Sequence, residues 1–198
     1  MTVVLSAAPT ASAPALHLRP WRVEDAAVLA AAFRDPVLRR WLRTSIDGEA
    51  EARRWIDSQT EAWDSGTRLS FAVLERETDS LERGTAEGDG GHPVGHVVIK
   101  EIAPGKPSAE VGYWTSAEAR GRGIAPRALE AVSLWALDPQ RATPLERLEL
   151  IHGADNHASC RVAEKSAFRH HSVLPAHPPA FPNEGHLHVR TSMRARTR

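Results

Sequence analysis

The chain has 198 residues, 25 acidic and 25 basic side chains, a pI near 7.2 and one cysteine. Its length suits one domain with a sizeable core, its neutral charge disfavours general binding to nucleic acid or anionic membranes, and its single cysteine excludes an internal disulfide. No apolar run approaches the roughly 18 residues of a membrane span, and no basic stretch precedes the Ala-x-Ala at Ala11–Ala13 to suggest a secretory leader. We therefore expect a cytoplasmic protein.

The amino-terminal segment differs in composition from the rest of the chain. Residues 1–15 are rich in Ala, Ser, Thr and Pro and offer little surface to bury. Such a composition predicts a disordered tail. The remaining residues, 16–198, are expected to form a single domain.

Hydrophobic spacing predicts the secondary structure from residue 16 onward. The predicted strands are residues 16–21, 68–76, 93–102, 108–115, 146–153 and 183–193. The predicted helices are residues 22–33, 36–43, 47–66, a segment after residue 123, and 156–168. The charged and glycine-rich residues 77–92 predict a flexible connection between two strands.

The order of these elements predicts the class of fold. The three consecutive strands in the middle of the chain are joined by short connections and should be largely antiparallel, whereas strands separated by a helix should be parallel. The sequence therefore predicts an α+β fold, with a mixed, mostly antiparallel sheet flanked by helices.

The segment "EARGRGIAPRAL", residues 118–129, places two arginines and two glycines directly before a predicted helix. A helix start leaves backbone N–H groups unpaired, glycines let that backbone approach an anion closely, and Arg120 and Arg122 can add charged contacts. Pro126 excludes the G-x-G-x-x-G dinucleotide pattern, and the Walker pattern is absent. On the glycines alone, a pyrophosphate cradle and a mobile surface loop are both open.

Three ordered motifs carry a resemblance to a known family. Arg120, Gly123 and Ala125 fit the pattern Q/R-x-x-G-x-G/A, "AEVGYW" precedes them, and "NHASCRVAEKSAF" follows. The segment resembles the acetyl-CoA loop of the GNAT N-acetyltransferases, and the flanking motifs resemble the branch that contains RimJ and RimL. The resemblance covers roughly residues 16–195, with its most specific motifs between residues 110 and 168.

The resemblance implies acetyl-CoA as acyl donor and assigns residues to its binding. In the family, loop backbone amides hold the pyrophosphate, a splayed strand pairs with the pantetheine arm, and the next helix contacts the cofactor. The residues implied here are Tyr113, Thr115, Arg120, Gly121, Arg122, Gly123, Ile124, Ala125, Asn156 and Ser159. Gly112 is suited to a bulge in the splayed strand, the alternative being a small residue under a packed helix.

The resemblance also implies a direct attack of a primary amine on the thioester in a ternary complex. Glu110 is the candidate base, the alternative being a carboxylate paired to a nearby arginine. Ser159, or a water it holds, is the candidate for protonating or stabilising the thiolate, because Tyr113, the only tyrosine, lies in a strand. The alternative for Asn156 and Ser159 is a purely structural role as helix cap and first-turn hydroxyl. The acceptor is a protein N-terminal amine or a small amine, and the protein is expected to be a monomer or homodimer.

Two other functions stay open at this stage. A GNAT-fold module that binds acyl-CoA without turnover would also carry the loop motif. The Arg-Gly segment could also bind nucleic acid, but it has no interleaved aromatic residues and the chain has no surplus of basic residues, both of which such binding favours.

Several further residues carry weaker signals. Cys160 is interpreted as a buried thiol, and His170, His171, His186 and His188 as exposed or cleft-lining side chains, so no metal is expected. Trp41 and Trp55 are alternative candidates for an acceptor pocket. Ala167 stands where the family usually has glycine, which would be unfavourable by roughly 1 kcal/mol if the backbone there is left-handed.

Overall fold

The computed structural model describes residues 3–76, 91–141, 144–179 and 181–192. The predicted flexible connection over residues 77–92 lies outside these ranges except for its last two residues. None of the helices within the described residues is long and apolar enough to span a membrane.

Eight strands form one sheet in the order β1-β2-β3-β4-β5-β6-β8-β7. The strands are β1 (Leu5–Ala7), β2 (Ala15–Pro20), β3 (Leu69–Arg76), β4 (Pro93–Lys100), β5 (Ser108–Thr115), β6 (Arg147–Gly153), β7 (Arg169–Leu174) and β8 (Gly185–Thr191). The helices are α1 (Ala26–Ala32), α2 (Pro36–Trp41), α3 (Glu49–Asp64), α4 (Ile124–Ala136) and α5 (His157–Lys165), with single 3-10 turns at Val23–Asp25 and Ala117–Ala119.

The predicted α+β class and mixed sheet are confirmed. Every neighbouring strand pair is antiparallel except β5–β6, which is parallel because α4 carries the chain back to the same end of the sheet. Helices flank both faces. One hydrophobic core lies under α4, and a second packs side chains of β3 and β5 against α1 and α3.

The disorder predicted for residues 1–15 is wrong for residues 3–15. Leu5–Ala7 pairs with β2 and extends the sheet, and the apolar side chains of Leu5 and Ala7 pack against the core under α4. Arg127 of α4 donates hydrogen bonds at 2.7 Å to the carbonyl oxygens of Ala8 and Pro14. A few buried apolar contacts and one arginine thus order a segment whose composition resembles a tail.

The last part of the sheet also differs from the prediction. The segment Arg169–Leu174 is a strand, β7, that the sequence analysis did not identify. It reverses the chain after α5, so that β8 returns antiparallel to β6 rather than parallel to it.

The turn after α5 contains the left-handed alanine anticipated from the sequence. Ala167 has φ 58°, the Phe168 amide donates to the Ala163 carbonyl at 2.9 Å, and the Ala167 amide donates to the Glu164 carbonyl at 3.2 Å. This is the Schellman arrangement that usually ends in glycine. A β-carbon at this position costs about 1 kcal/mol relative to glycine, which the burial of Phe168 offsets.

Candidate active site

A gap opens in the sheet between β5 and β6. The two strands pair over Ser108–Val111 and Arg147–Leu150, and the ladder between them ends there. Beyond that point each strand keeps pairing with its other neighbour, β5 with β4 and β6 with β8. The facing backbone edges of Gly112–Thr115 and Ile151–Gly153 therefore line a cleft inside the sheet.

Gly112 does not form the expected bulge. It pairs with Val98 in the regular register of β4 and β5. A β-carbon at Gly112 would lie 3.4 Å from Val98 Cγ1, so the glycine permits close packing against the neighbouring strand instead. The parting of β5 and β6, rather than a bulge, opens the cleft.

The Arg-Gly segment forms a tight turn that leads from β5 into α4. Gly121 has φ 75° and Gly123, the residue that caps α4, has φ 73°. Both values lie in the left-handed region that glycine adopts without strain, so the turn needs both glycines. A β-carbon on either residue would meet no heavy atom within 4 Å. The turn therefore has open space beside both glycines, at a helix N-terminus of the kind that binds anions.

Both arginines of the turn are held by carboxylates. The Arg120 guanidinium is paired with Asp35, whose other carboxylate oxygen accepts a hydrogen bond from the Val37 amide at 2.9 Å and caps α2. Arg122 donates two hydrogen bonds to Glu75, at 2.7 and 2.8 Å. These ion pairs orient the arginines beside the turn.

The start of α5 meets β5 at the cleft. The Asn156 side chain accepts a hydrogen bond from the Ser159 amide at 3.1 Å and so caps α5. The Tyr113 hydroxyl donates a hydrogen bond to Ser159 Oγ at 2.9 Å. Burial raises the pKa of Tyr113 to about 12 against the opposing effect of this hydrogen bond, so the phenol is protonated at neutral pH.

Glu110 lies on the opposite face of β5 from Tyr113, because successive side chains along a strand alternate. Its carboxylate lies 2.7 Å from Lys100 Nζ on the neighbouring strand and is mostly buried, with 16% of the side chain exposed. From the sequence, the alternative to a catalytic role for Glu110 is an ion pair with an arginine. The structure shows such an ion pair, but its partner is Lys100. The charge of Glu110 also raises the pKa of Arg68, although burial lowers that pKa more.

The sequence matches the model of the acetyltransferase (GNAT) domain over residues 15–169. The chain belongs to the GNAT acetyltransferase family. A comparison with curated protein sequences finds no match. As a GNAT acetyltransferase, the protein is an enzyme.

Solved structures with the GNAT fold extend the resemblance to most of the chain. Mycobacterium smegmatis RimJ, in complex with CoA-disulfide, has a TM-score of 0.73 at 20% identity, covering 98% of this chain and 88% of RimJ. RimL, a ribosomal L7/L12 alpha-N-protein acetyltransferase solved with coenzyme A, has a TM-score of 0.73 at 18% identity, covering 89% and 94%. The microcin C7 self-immunity acetyltransferase MccE, in complex with acetyl-CoA and AMP, has a TM-score of 0.74 at 14% identity, covering 89% and 92%.

The two tryptophans considered for the acceptor side of this GNAT enzyme lie in different surroundings. Trp55 packs edge-on against Trp21, with ring centroids 5.6 Å apart, and belongs to the core between the sheet and α1 and α3. Trp41, at the end of α2, lies against Gly153 so closely that a β-carbon there would be 3.3 Å from its ring. Gly153 ends β6 at the cleft, so Trp41 is the tryptophan that borders it.

The histidines near the carboxyl-terminal end of this GNAT enzyme are not all arranged as predicted. His188 is buried and Cys160 is only half-buried, whereas His170 and His171 are exposed, as expected. His152, which the sequence analysis did not consider, lies beside them at the end of β6. The sequence could have placed His152 there, because Leu148, Leu150 and His152 alternate along β6 and lie on the face that packs under α4 and α5.

Proposed function

We propose that this GNAT enzyme transfers an acetyl group from acetyl-CoA to a primary amine by direct attack in a ternary complex. The observation that carries the proposal is the cleft between β5 and β6, which opens beside the glycine turn at the start of α4. A cofactor with a pyrophosphate at one end and an amide-bearing arm at the other matches these two features. The turn offers backbone N–H groups to the anion, and the strand edges offer hydrogen bonds to the amides.

In this proposal the cofactor contacts follow the chain order. The backbone of residues 121–125 binds the pyrophosphate, and Arg120 and Arg122 exchange their carboxylate partners for phosphate oxygens. The arm runs along the β5 edge at Tyr113 and Thr115, toward Ser159 and the Asn156 cap. The thioester then lies in the gap between β5 and β6, which is open to both faces of the sheet.

The two faces of β5 divide the chemistry. The amine approaches from the side of Glu110, which accepts its proton through a water as the nitrogen attacks the thioester carbon. The C–N bond forms, the C–S bond breaks, and its electron pair goes to the sulfur. The leaving thiolate develops on the other face, where Ser159 and Tyr113 lie.

Ser159 is well placed to stabilise that thiolate. Its oxygen accepts the hydrogen bond from Tyr113, so its own hydroxyl hydrogen is directed away from the phenol and is available to a second acceptor. Tyr113 acts in this proposal as a positioning residue, since it holds the serine rather than contacting the reacting atoms.

Replacing Ser159 by alanine should lower kcat by about tenfold to hundredfold, the worth of one hydrogen bond to a charged group. KM for acetyl-CoA should change little, and Tyr113→Phe should give a smaller fall in kcat. Steady-state kinetics of acetyl transfer would measure both, with Ser58→Ala on the exposed face of α3 as a control. Wild-type kcat in Ser159→Ala would contradict the assigned role.

The acceptor we propose is the α-amine of a peptide or protein. RimL is described as an alpha-N-protein acetyltransferase, and its fold covers most of this chain. In this chain, the indole of Trp41 borders the cleft and can cover an extended acceptor segment. A small-molecule amine is the alternative acceptor of the same site.

The test is an acceptor panel with acetyl-CoA as donor. Peptides with free N-termini, the same peptides with blocked N-termini and an internal lysine, and small amines would be compared by mass spectrometry and by release of the CoA thiol. Acetylation restricted to free N-terminal peptides supports the proposal, and acetylation of small amines alone supports the alternative acceptor. Failure to bind acetyl-CoA would contradict the cofactor site itself.

A further inference from the structure

Four potential metal ligands converge beside α5. His152 of β6, His186 and His188 of β8, and Cys160 of α5 each offer one ligand atom, and these atoms all lie within 4.8 Å of one another. Cys160 Sγ is 3.4 Å from His186 Nδ1. The cluster exists because β8 inserts between β6 and β7 and places His186 directly opposite His152.

Three buried ring nitrogens of the cluster lack the partners that buried imidazoles normally have. His188 is 2% exposed; the backbone of Phe168 interacts with its ring, but neither ring nitrogen has a partner at full hydrogen-bonding geometry. His152 Nε2 is also buried without a partner. A neutral imidazole carries one N–H donor and one acceptor, and burying both unsatisfied is unfavourable, so such groups generally have a partner. The unpartnered buried nitrogens therefore indicate a ligand that lies between them, at the centre of the cluster.

The orientation of His152 supports a metal ion as that ligand. Its Nδ1 lies 2.9 Å from the Gly153 carbonyl oxygen, and since a carbonyl only accepts, Nδ1 carries the hydrogen. Nε2 is then the nitrogen with a free lone pair, and it is the one that lies buried without a partner. Metal-binding histidines commonly donate their other ring N–H to a backbone carbonyl in this way, which fixes the tautomer and the ring.

We propose that His152, His186, His188 and Cys160 bind one Zn²⁺ ion in a tetrahedral site. Three imidazole nitrogens and one thiolate form a ligand set that zinc takes in proteins, and a closed tetrahedron has ligand–ligand distances of roughly 3.3–3.8 Å. The distance of 3.4 Å between Cys160 Sγ and His186 Nδ1 already falls in this range. The other ligand atoms lie up to 4.8 Å apart, so the imidazole rings must rotate toward the centre of the cluster when the ion binds. On binding, the Cys160 thiol releases its proton to solvent.

The site would fasten the first turn of α5 to β6 and β8. Exposed His170 lies over the cluster, its ring centroid 5.0 Å from that of His186 and 5.4 Å from that of His188. Four protein ligands leave no position open for water, which makes this a structural zinc site rather than a catalytic one. None of its four ligands takes part in the proposed acetyl transfer, but Cys160 adjoins Ser159 in the first turn of α5.

Zinc content of the tag-free full-length protein tests the proposal directly. The protein would be treated with a chelator, dialysed against Zn²⁺ and then against metal-free buffer, and measured by plasma mass spectrometry. We expect about one zinc per chain in wild type and in the control His171→Gln, an exposed histidine that follows His170 on β7. Cys160→Ser and His188→Gln should each retain less than about half a zinc per chain after the same dialysis.

Co²⁺ substitution tests the ligand set by a separate signal. Wild type loaded with Co²⁺ should show the visible bands of a tetrahedral site and a thiolate charge-transfer band in the near ultraviolet, and Cys160→Ser should lose the latter. Cys160→Ser changes a half-buried side chain, so it keeps the test valid if His188→Gln fails to fold. Absence of zinc from the wild type, or equal zinc in wild type and Cys160→Ser, would overturn the proposal.

Discussion

Replacing Gly123 by glutamate should weaken acetyl-CoA binding by about a hundredfold, or roughly 2.7 kcal/mol. Gly123 has φ 73° at the start of α4, so a side chain there strains the turn whose amides we assign to the pyrophosphate. The added carboxylate also repels the phosphates and competes for the same backbone N–H groups. Calorimetric titration with acetyl-CoA would measure the loss, with free CoA and ATP as comparators.

The chain offers a closely matched control in Gly105. It has the same φ of 73°, and a β-carbon there also meets nothing within 4 Å, but it lies in the connection between β4 and β5. Gly105→Glu therefore adds the same charge and similar backbone strain away from the cleft. Equal binding losses in the two variants would trace the effect to stability, and unchanged binding in Gly123→Glu would remove the pyrophosphate from this turn.

Replacing Glu110 by glutamine should lower kcat by about 10²–10³-fold, a typical contribution of general base catalysis. Acetyl-CoA affinity should stay close to that of wild type, because Glu110 lies on the face of β5 opposite Tyr113 and Ser159. Rapid-quench or steady-state kinetics with an accepted amine would give kcat, and calorimetry would give the affinity. The variant removes a charge but keeps the size of the side chain.

Glu149→Gln is the matched control for this substitution. Glu149 is the β6 residue that lies opposite Glu110 in the parallel ladder, and it too is ion-paired, to Arg147 at 2.8 Å. A kcat loss confined to Glu110→Gln identifies the base. Similar losses of kcat in both variants would mean that the two carboxylates stabilise the sheet. The ion pair of Glu110 with Lys100 would then be structural rather than catalytic.

The regular elements were predictable because their buried faces follow simple periods. In α4, Leu129, Val132 and Ala136 recur at helical spacing and are all buried. β7 was not predictable in this way, since its residues 169–171 are polar and exposed at the edge of the sheet. β1 was missed for the complementary reason, because part of what orders its segment, including the hydrogen bonds from Arg127 to Ala8 and Pro14, comes from α4, more than a hundred residues away.

The candidate site was predictable as a set of motifs, but its contacts were not. The Arg-Gly turn, Asn156 and Ser159 are close in sequence to the elements that position them. The hydrogen bond from Tyr113 to Ser159 joins residues 46 positions apart and depends on how α5 sits over β5. The histidine cluster depends on the strand order β6-β8-β7, which the missed β7 left unpredicted.

The parting of β5 and β6 has a consequence for the behaviour of the protein without its cofactor. It leaves two short strand edges facing each other, and unpaired edges are where strands of other chains add and aggregation begins. These edges lie inside the sheet and span only residues 112–115 and 151–153, which limits such pairing. A cofactor arm lying between them would complete the sheet. Occupancy would then protect the protein against self-association during purification and storage.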